Sequence, residues 1–289
     1  MTPPAGTVGE ASDEAAPGGP LRRVVLGLAY DGTCFRGFAP QAGERTVAGA
    51  LGAALEVALG EPVELTCAGR TDAGVHALAQ VVHLDAPADR LSRRLRAPSL
   101  EPGAPLERLQ RSLNRQLAGE VVVWRAELAR PGFDARRSAL SRRYRYLVDA
   151  RPRPDPLRRR DTWQVGAALD LAAMRLGADP LIGEHDFSAF CRRGRTAAGP
   201  LVRRVLDASW TVLADGRWAF EVEAQAFCQQ MVRAVVGMLV AIGRGRARPS
   251  DVVARLRSGR REGAPPVAPP HGLALVAVRY PAELGGTFC

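Results

Sequence analysis

The chain has 289 residues, 46% of them apolar, with forty basic residues against thirty acids for a formal charge of +10. That length allows one large domain or two ordinary ones with real cores, and no apolar run approaches the roughly eighteen residues that a membrane helix needs. Every cation is arginine, which excludes Schiff-base catalysis by lysine and a lysine-dependent phosphate loop.

The first twenty residues, MTPPAGTVGEASDEAAPGGP, carry acids and prolines where a signal peptide needs basic and then apolar character. Residues 1–21 are therefore expected to form a disordered tail, and the protein is expected to be cytoplasmic. RRVVLGLAY (22–30) predicts a buried strand that runs into the turn Asp31-Gly32. Thr46 can cap a helix in which Val47, Ala50, Leu51, Ala54, Leu55, Ala58 and Leu59 recur at helical spacing before Gly60 ends it. Residues 63–67 and 80–85 read as two further strands, and the loop between them joins neighbours in one sheet. Residues 86–119 are rich in Arg, Pro and Leu and predict a helix over 106–117. Strands follow at 121–128 and 143–149.

RPRPDP (151–156) breaks both periodicities and is the expected domain boundary. Beyond it, 169–181 predicts a helix, and 202–213 pairs with 217–224 through Asp215-Gly216 as a hairpin. In FCQQMVRAVVGMLVAIG, residues Phe227, Met231, Val235, Met238, Leu239 and Ile242 mark one helical face. Ser250 and Asp251 open a shorter helix, and 272–280 is a last strand. Phe187 and Phe190 are expected in the core. The expected fold class is α+β, with two related halves, 22–150 and 151–283, each a mixed, mostly antiparallel sheet flanked by helices.

Cys34, Cys67, Cys191, Cys228 and Cys289 are odd in number and far apart, so neither a disulfide framework nor a CxxC metal site is expected. His76, His83, His185 and His271 form no HxxxH pair. No metal and no cofactor are expected, and His76 and His83 read as packing or surface residues. From Arg130 to Arg160 there are eleven arginines against Asp134, Asp149 and Asp155, with Tyr144 and Tyr146 among them. Arginines bind phosphates bidentately and aromatic rings stack on bases, so this run points to a nucleic-acid partner through Arg142, Arg143 and Arg145.

Residues 67–76, CAGRTDAGVH, set one acid, Asp72, beside one base, Arg70, in a small-residue loop between apolar runs. A single Asp framed by Gly69 and Gly74 implies a backbone held in one shape to present one carboxylate, although Asp also caps ordinary turns. Together with Tyr30-Asp31-Gly32, Arg142-Arg143-Tyr144-Arg145-Tyr146 and Met231-Val232-Arg233 with Gly237, this loop makes the chain resemble the TruA family of tRNA pseudouridine synthases. The likeness runs from Val24 to Tyr280, with four motifs in the family's order.

The resemblance implies the pseudouridine synthase fold with a central cleft, and isomerisation of uridine at positions 38, 39 and 40 of the tRNA anticodon stem-loop. It also implies a homodimer holding each tRNA across both subunits. By the same match Asp72 falls on the catalytic aspartate, Tyr144 on the tyrosine that packs against the target base, and Arg233 on the arginine that pairs with the aspartate. Arg70 matches the arginine that helps displace the base, and Leu273 an apolar residue of the pocket. Phe38, Ala118, Gln229 and Ala234 depart from the family's usual Trp, Pro, His and Asn, and segment 86–119 is longer than the family's. Three other readings stay open: a non-catalytic RNA-binding module, a glycosidase releasing free uracil, for which local spacing fixes no second carboxylate near Asp72, and a pseudouridine synthase acting on other RNA uridines.

Overall fold

The computed structural model describes residues 20–97, 99–192, 199–263 and 265–289. Its first element, β1 (Leu21–Tyr30), leads to helix α1 (Val47–Leu59), whose start is capped by Thr46 Oγ1 accepting from Gly49 N and whose end is Gly60 at φ +84°. Strands β2 (Thr66–Cys67) and β3 (His76–Pro87) flank the Asp72 loop. Helices α2 (Ala88–Arg93) and α3 (Glu107–Gln116) precede strands β4 (Val121–Leu128) and β5 (Ser141–Asp149). The second half holds β6 (Trp163–Gln164), α4 (Leu171–Ala178), β7 (Gly183–Asp186), β8 (Val202–Val212) and β9 (Trp218–Ala224). Helices α5 (Met231–Gly243) and α6 (Ser250–Ser258), then β10 (Leu273–Arg279) and β11 (Thr287–Phe288), complete it.

The α+β class holds, with one difference in how the halves are joined. Among the described residues all eleven strands belong to one sheet, whose main path runs β4-β1-β3-β10-β5-β9-β8-β7. Strand β10 comes from the end of the chain yet lies between β3, with which it is parallel, and β5, with which it is antiparallel. The RPRPDP segment therefore divides the sequence without dividing the sheet. Most pairings are antiparallel, as the short connections and hairpin turns require. Helix α1 packs on α3 and α3 on β4; in the second half α4 packs against α5, α6 and β8. One core of buried residues runs from Val24 and Leu26 in β1 through Tyr146 in β5 to Phe187, Phe220 and Leu239.

Several boundaries move for local reasons. The strand expected over 63–67 shrinks to β2, because only Thr66 and Cys67 find partners, His83 and Val82 on β3. Strand β3 is longer than 80–85 because β1 pairs along it from Ala77 to Pro87. Helix α4 starts at Leu171, where Asp170 accepts from Ala173 N, and gives way to a tighter turn at Asp179–Leu181 carrying Pro180. Helix α5 starts only at Met231, because Gln230 sits at φ +63°, a left-handed conformation that no helix continues through. Phe227 is thereby placed in the preceding loop and not on the helix. Of the expected tail, residues 1–19 lie outside the described residues, whereas Leu21 already belongs to β1. Among the described residues no helix is long and apolar enough to cross a membrane.

Candidate active site

The Asp72 loop is braced from behind by buried polar groups. Gln80 Nε2 donates to Gly69 O at 2.7 Å and to Tyr30 Oη at 3.3 Å, and Tyr30 Oη shares a 2.8 Å hydrogen bond with Thr71 Oγ1. Gln80, Tyr30 and Thr71 are all buried, so the two bonds of Tyr30 are made where water cannot substitute for them, and the bond to Gly69 is partly shielded. From the other side, Phe38 N donates to Thr71 O and Gly74 N to Phe35 O. Gly74 has φ +77°, and a Cβ there would lie 2.9 Å from Pro270 Cγ, so both the turn and the approach of the 270 segment require glycine. Replacing Gln80 by Leu strands Gly69 O and one partner of Tyr30. The expected loss is about 1–3 kcal/mol of stability, measurable by urea denaturation, together with slower turnover as the loop loosens.

What the braced loop presents is the Asp72 carboxylate. Its Oδ2 lies 3.6 Å from Arg233 Nη1, with the two side chains 28% and 14% exposed. Arg233 occupies the first turn of α5 and is itself fixed: its Nε donates to Ala268 O at 2.8 Å, while its own carbonyl accepts from Ala268 N at 3.1 Å. The acid and the base thus come from opposite halves of the chain and meet across the cleft. Gly237, one turn further along α5, lets this happen, because a Cβ there would stand 2.2 Å from Pro266 O. Gly237→Ala is expected to cost about 1–3 kcal/mol by overpacking and to push segment 266–268 off Arg233; thermal denaturation and turnover would both register it.

Tyr144 reaches the same place from β5. The residue is 7% exposed, and its ring makes a T-shaped contact with Phe227, centroids 5.0 Å apart. A Cβ on Gly69 would lie 3.8 Å from the Tyr144 hydroxyl, which puts that hydroxyl against the Asp72 loop. Burial, with a smaller contribution from the Asp72 charge, holds the phenol well above its usual range. Tyr144 is therefore a neutral ring and donor at physiological pH, not a base. The Cys67 thiol, also on the cleft, is pushed up to about 11 by burial against a weaker opposing effect of Arg70. It stays protonated and does not compete with Asp72 as a nucleophile.

These groups line one cleft of about 1450 Å³, with Arg70 exposed at its edge and Leu273, the first residue of β10, 6% exposed within it. Asp72, Arg233, Tyr144, Arg70 and Leu273 are brought together. The arginine run is not. Arg143 and Arg145 alternate with Tyr144 along β5 and so point to the opposite face, where Arg143 bonds Glu223 at 2.6 Å and Arg145 bonds Glu221 at 2.7 Å. Arg142 does line the cleft, but its guanidinium donates to four backbone carbonyls, those of Ala68, Arg136, Ala139 and Gln225. It stitches the loop after β2 to the end of β9. The three arginines expected to carry nucleic acid are thus held by ion pairs and backbone carbonyls, two of them on the face opposite Tyr144.

Besides Arg70, the exposed cleft arginines are Arg36, Arg136 and Arg192, with Arg203 half-buried beside them. They are scattered over four segments, so no local signal marks them as a group. Phe227 was likewise hidden, read as one face of a helix that starts four residues later. Cys191 and Cys228 correct a further expectation: 37 residues apart in sequence, they are disulfide-bonded with Cα atoms 5.7 Å apart, because the fold lays the 3₁₀ turn Ser188–Phe190 beside the loop that carries Phe227. His76 and His83 are structural. Gly32 N donates to His76 Nδ1 and Ala135 N to His83 Nδ1, each at 3.0 Å. Among the described residues no group of three His, Cys, Asp or Glu is placed to hold a metal ion.

A family model described as tRNA pseudouridine synthase matches residues 178–281. The tRNA pseudouridine synthase A of Frankia casuarinae is 48% identical over 265 residues, covering 91% of this chain and 91% of that protein. Those of Leifsonia xyli and Corynebacterium glutamicum are 44% and 43% identical, covering 91% and 90% of this chain and 94% and 90% of the relatives. Identity of that level, sustained over nine-tenths of both partners and so including both walls of the cleft, places this chain in the TruA family of tRNA pseudouridine synthases.

Proposed function

We propose that this protein isomerises uridine to pseudouridine in tRNA, with Asp72 as the nucleophile. The observation that carries the reading is the Asp72–Arg233 pair, a carboxylate and a guanidinium supplied by opposite halves and set beside a buried tyrosine in one cleft. The reaction breaks C1′–N1, turns the uracil, forms C1′–C5 and exchanges a proton from C5 for one on N1. It needs no redox partner or energy donor. One carboxylate suffices, by attack on C1′ in the manner of a retaining glycosidase or by addition to C6 of the ring.

Each neighbour has a part in this scheme. Arg233 offsets the cost of keeping an anion out of water. Tyr144 gives the uracil a stacking face worth about 1–3 kcal/mol per base, which compensates for taking the nucleotide out of its stem at a cost on the order of a few kcal/mol. Arg70, exposed at the cleft edge, fills the vacated space, and Leu273 closes the pocket on its apolar side. Phosphates are met by Arg36, Arg136 and Arg192. The substrate is the anticodon stem-loop at positions 38, 39 and 40, held across a homodimer in the cytoplasm. The two halves 22–150 and 151–283 act as the two walls of the cleft.

The test uses a tRNA transcript carrying tritium at C5 of uridine. Tritium release with pseudouridine mapped to positions 38–40 is expected. Binding without release would favour an RNA-binding module, and release with pseudouridine elsewhere would favour another uridine target. Recognition led by arginine also predicts a linear fall of log affinity with log salt, about 0.7 to 0.9 per phosphate neutralised; filter binding at several ionic strengths checks it, and a flat dependence would contradict it.

A further inference from the structure

Once C1′–N1 is broken, the uracil must turn before C5 can meet C1′, and it must turn without leaving. Side chains packed to crystal density on every side resist such a movement. One wall beside Tyr144 is packed differently. Phe227 stands half-buried in the loop before α5, in T-shaped contact with Tyr144 at an interplanar angle of 84°. It faces the cleft on one side. On its other side lies a void of about 10 Å³, lined by apolar side chains that include Phe187, Val205, Phe220, Val222 and Met231. A space of that size matches about one water, and without polar partners it stays dry. Tyr144 has no such room, being held in β5 between β10 and β9.

We infer that Phe227 is a positioning residue for the isomerisation, the yielding wall of the uracil slot. It fixes the Tyr144 ring by contact and tilts toward the void while the detached base turns. The inference rests on the function proposed above. The neighbouring Cys191–Cys228 bond anchors the loop, so the movement belongs to the ring and not to its backbone.

Phe227→Ala removes the wall. With a tRNA transcript, kcat is expected to fall about tenfold or more while KM changes less than about threefold, and free uracil is expected in the mixture. Each uracil that escapes is replaced at C1′ by water, so one abasic ribose forms per base released. Phe227→Leu keeps an apolar wall and should restore most of the turnover and suppress the uracil. Val205→Ile, which adds a methylene at the void and leaves the cleft intact, should slow kcat several-fold without uracil release. Wild-type protein in the same assay separates the two claims: if it makes no pseudouridine, the functional reading fails. If it does, and Phe227→Ala matches it in kcat with no uracil, or loses activity only in proportion to lost folded protein, the positioning role is overturned.

Discussion

Asp72→Asn is expected to lower the single-turnover rate of uridine isomerisation by about 10⁴-fold or more while leaving tRNA affinity within a few-fold of wild type. The magnitude follows from the role: removing a nucleophile removes the covalent path and leaves only what binding alone provides. The asparagine is nearly isosteric, and the bonds that brace the loop run through Gly69 O, Thr71 and Gln80, away from the Asp72 carboxylate. Folding should therefore be preserved, and the loss is read as chemistry. Rapid-quench assay with C5-tritiated tRNA, alongside a thermal melt, separates the two.

Arg233→Ala is expected to reduce kcat about 10²-fold, in the range found when one preorganised electrostatic partner of a reacting group is removed. At 3.6 Å the pair is close enough for several kcal/mol in a dry site, but Asp72 is partly exposed, so solvent screening lowers that figure. Arg233→Lys should recover part of the loss. It restores a positive charge but not the Nε donor to Ala268 O, so the charge is held less firmly against Asp72. A lysine variant as slow as the alanine variant would show that the guanidinium's geometry matters more than its charge.

How far the site was legible depends on whether its signal was local. The Asp72 loop was, because its small residues, one acid and Gly74 sit within ten positions between two strands, and the backbone demand at Gly74 is met on the spot. Helix α1 was legible for the same reason, with Thr46 and Gly60 as its ends. The pairing of the arginine run was not legible, because a strand sends alternate residues to opposite faces, and Glu221 and Glu223, which bond Arg143 and Arg145, lie about eighty residues away. Apolar periodicity likewise ran through Phe227 into α5, since nothing in the sequence signals the left-handed Gln230. The single sheet was not legible either. Inserting β10 between β3 and β5 is a long-range pairing that neither strand's own sequence specifies.

The most direct test of the account is whether an ester bond forms between Asp72 and the nucleoside. With 5-fluorouridine in the tRNA there is no C5 proton to lose: by the C6 route Asp72 cannot then be eliminated and its ester persists, whereas by the C1′ route the ester is caught only by quenching before C1′–C5 forms. Acid quenching followed by mass spectrometry of protease fragments should then find the RNA attached to the peptide that contains Asp72, and should find none with Asp72→Asn. An adduct of equal yield in the Asp72→Asn protein, or one mapped to a different residue, would contradict it.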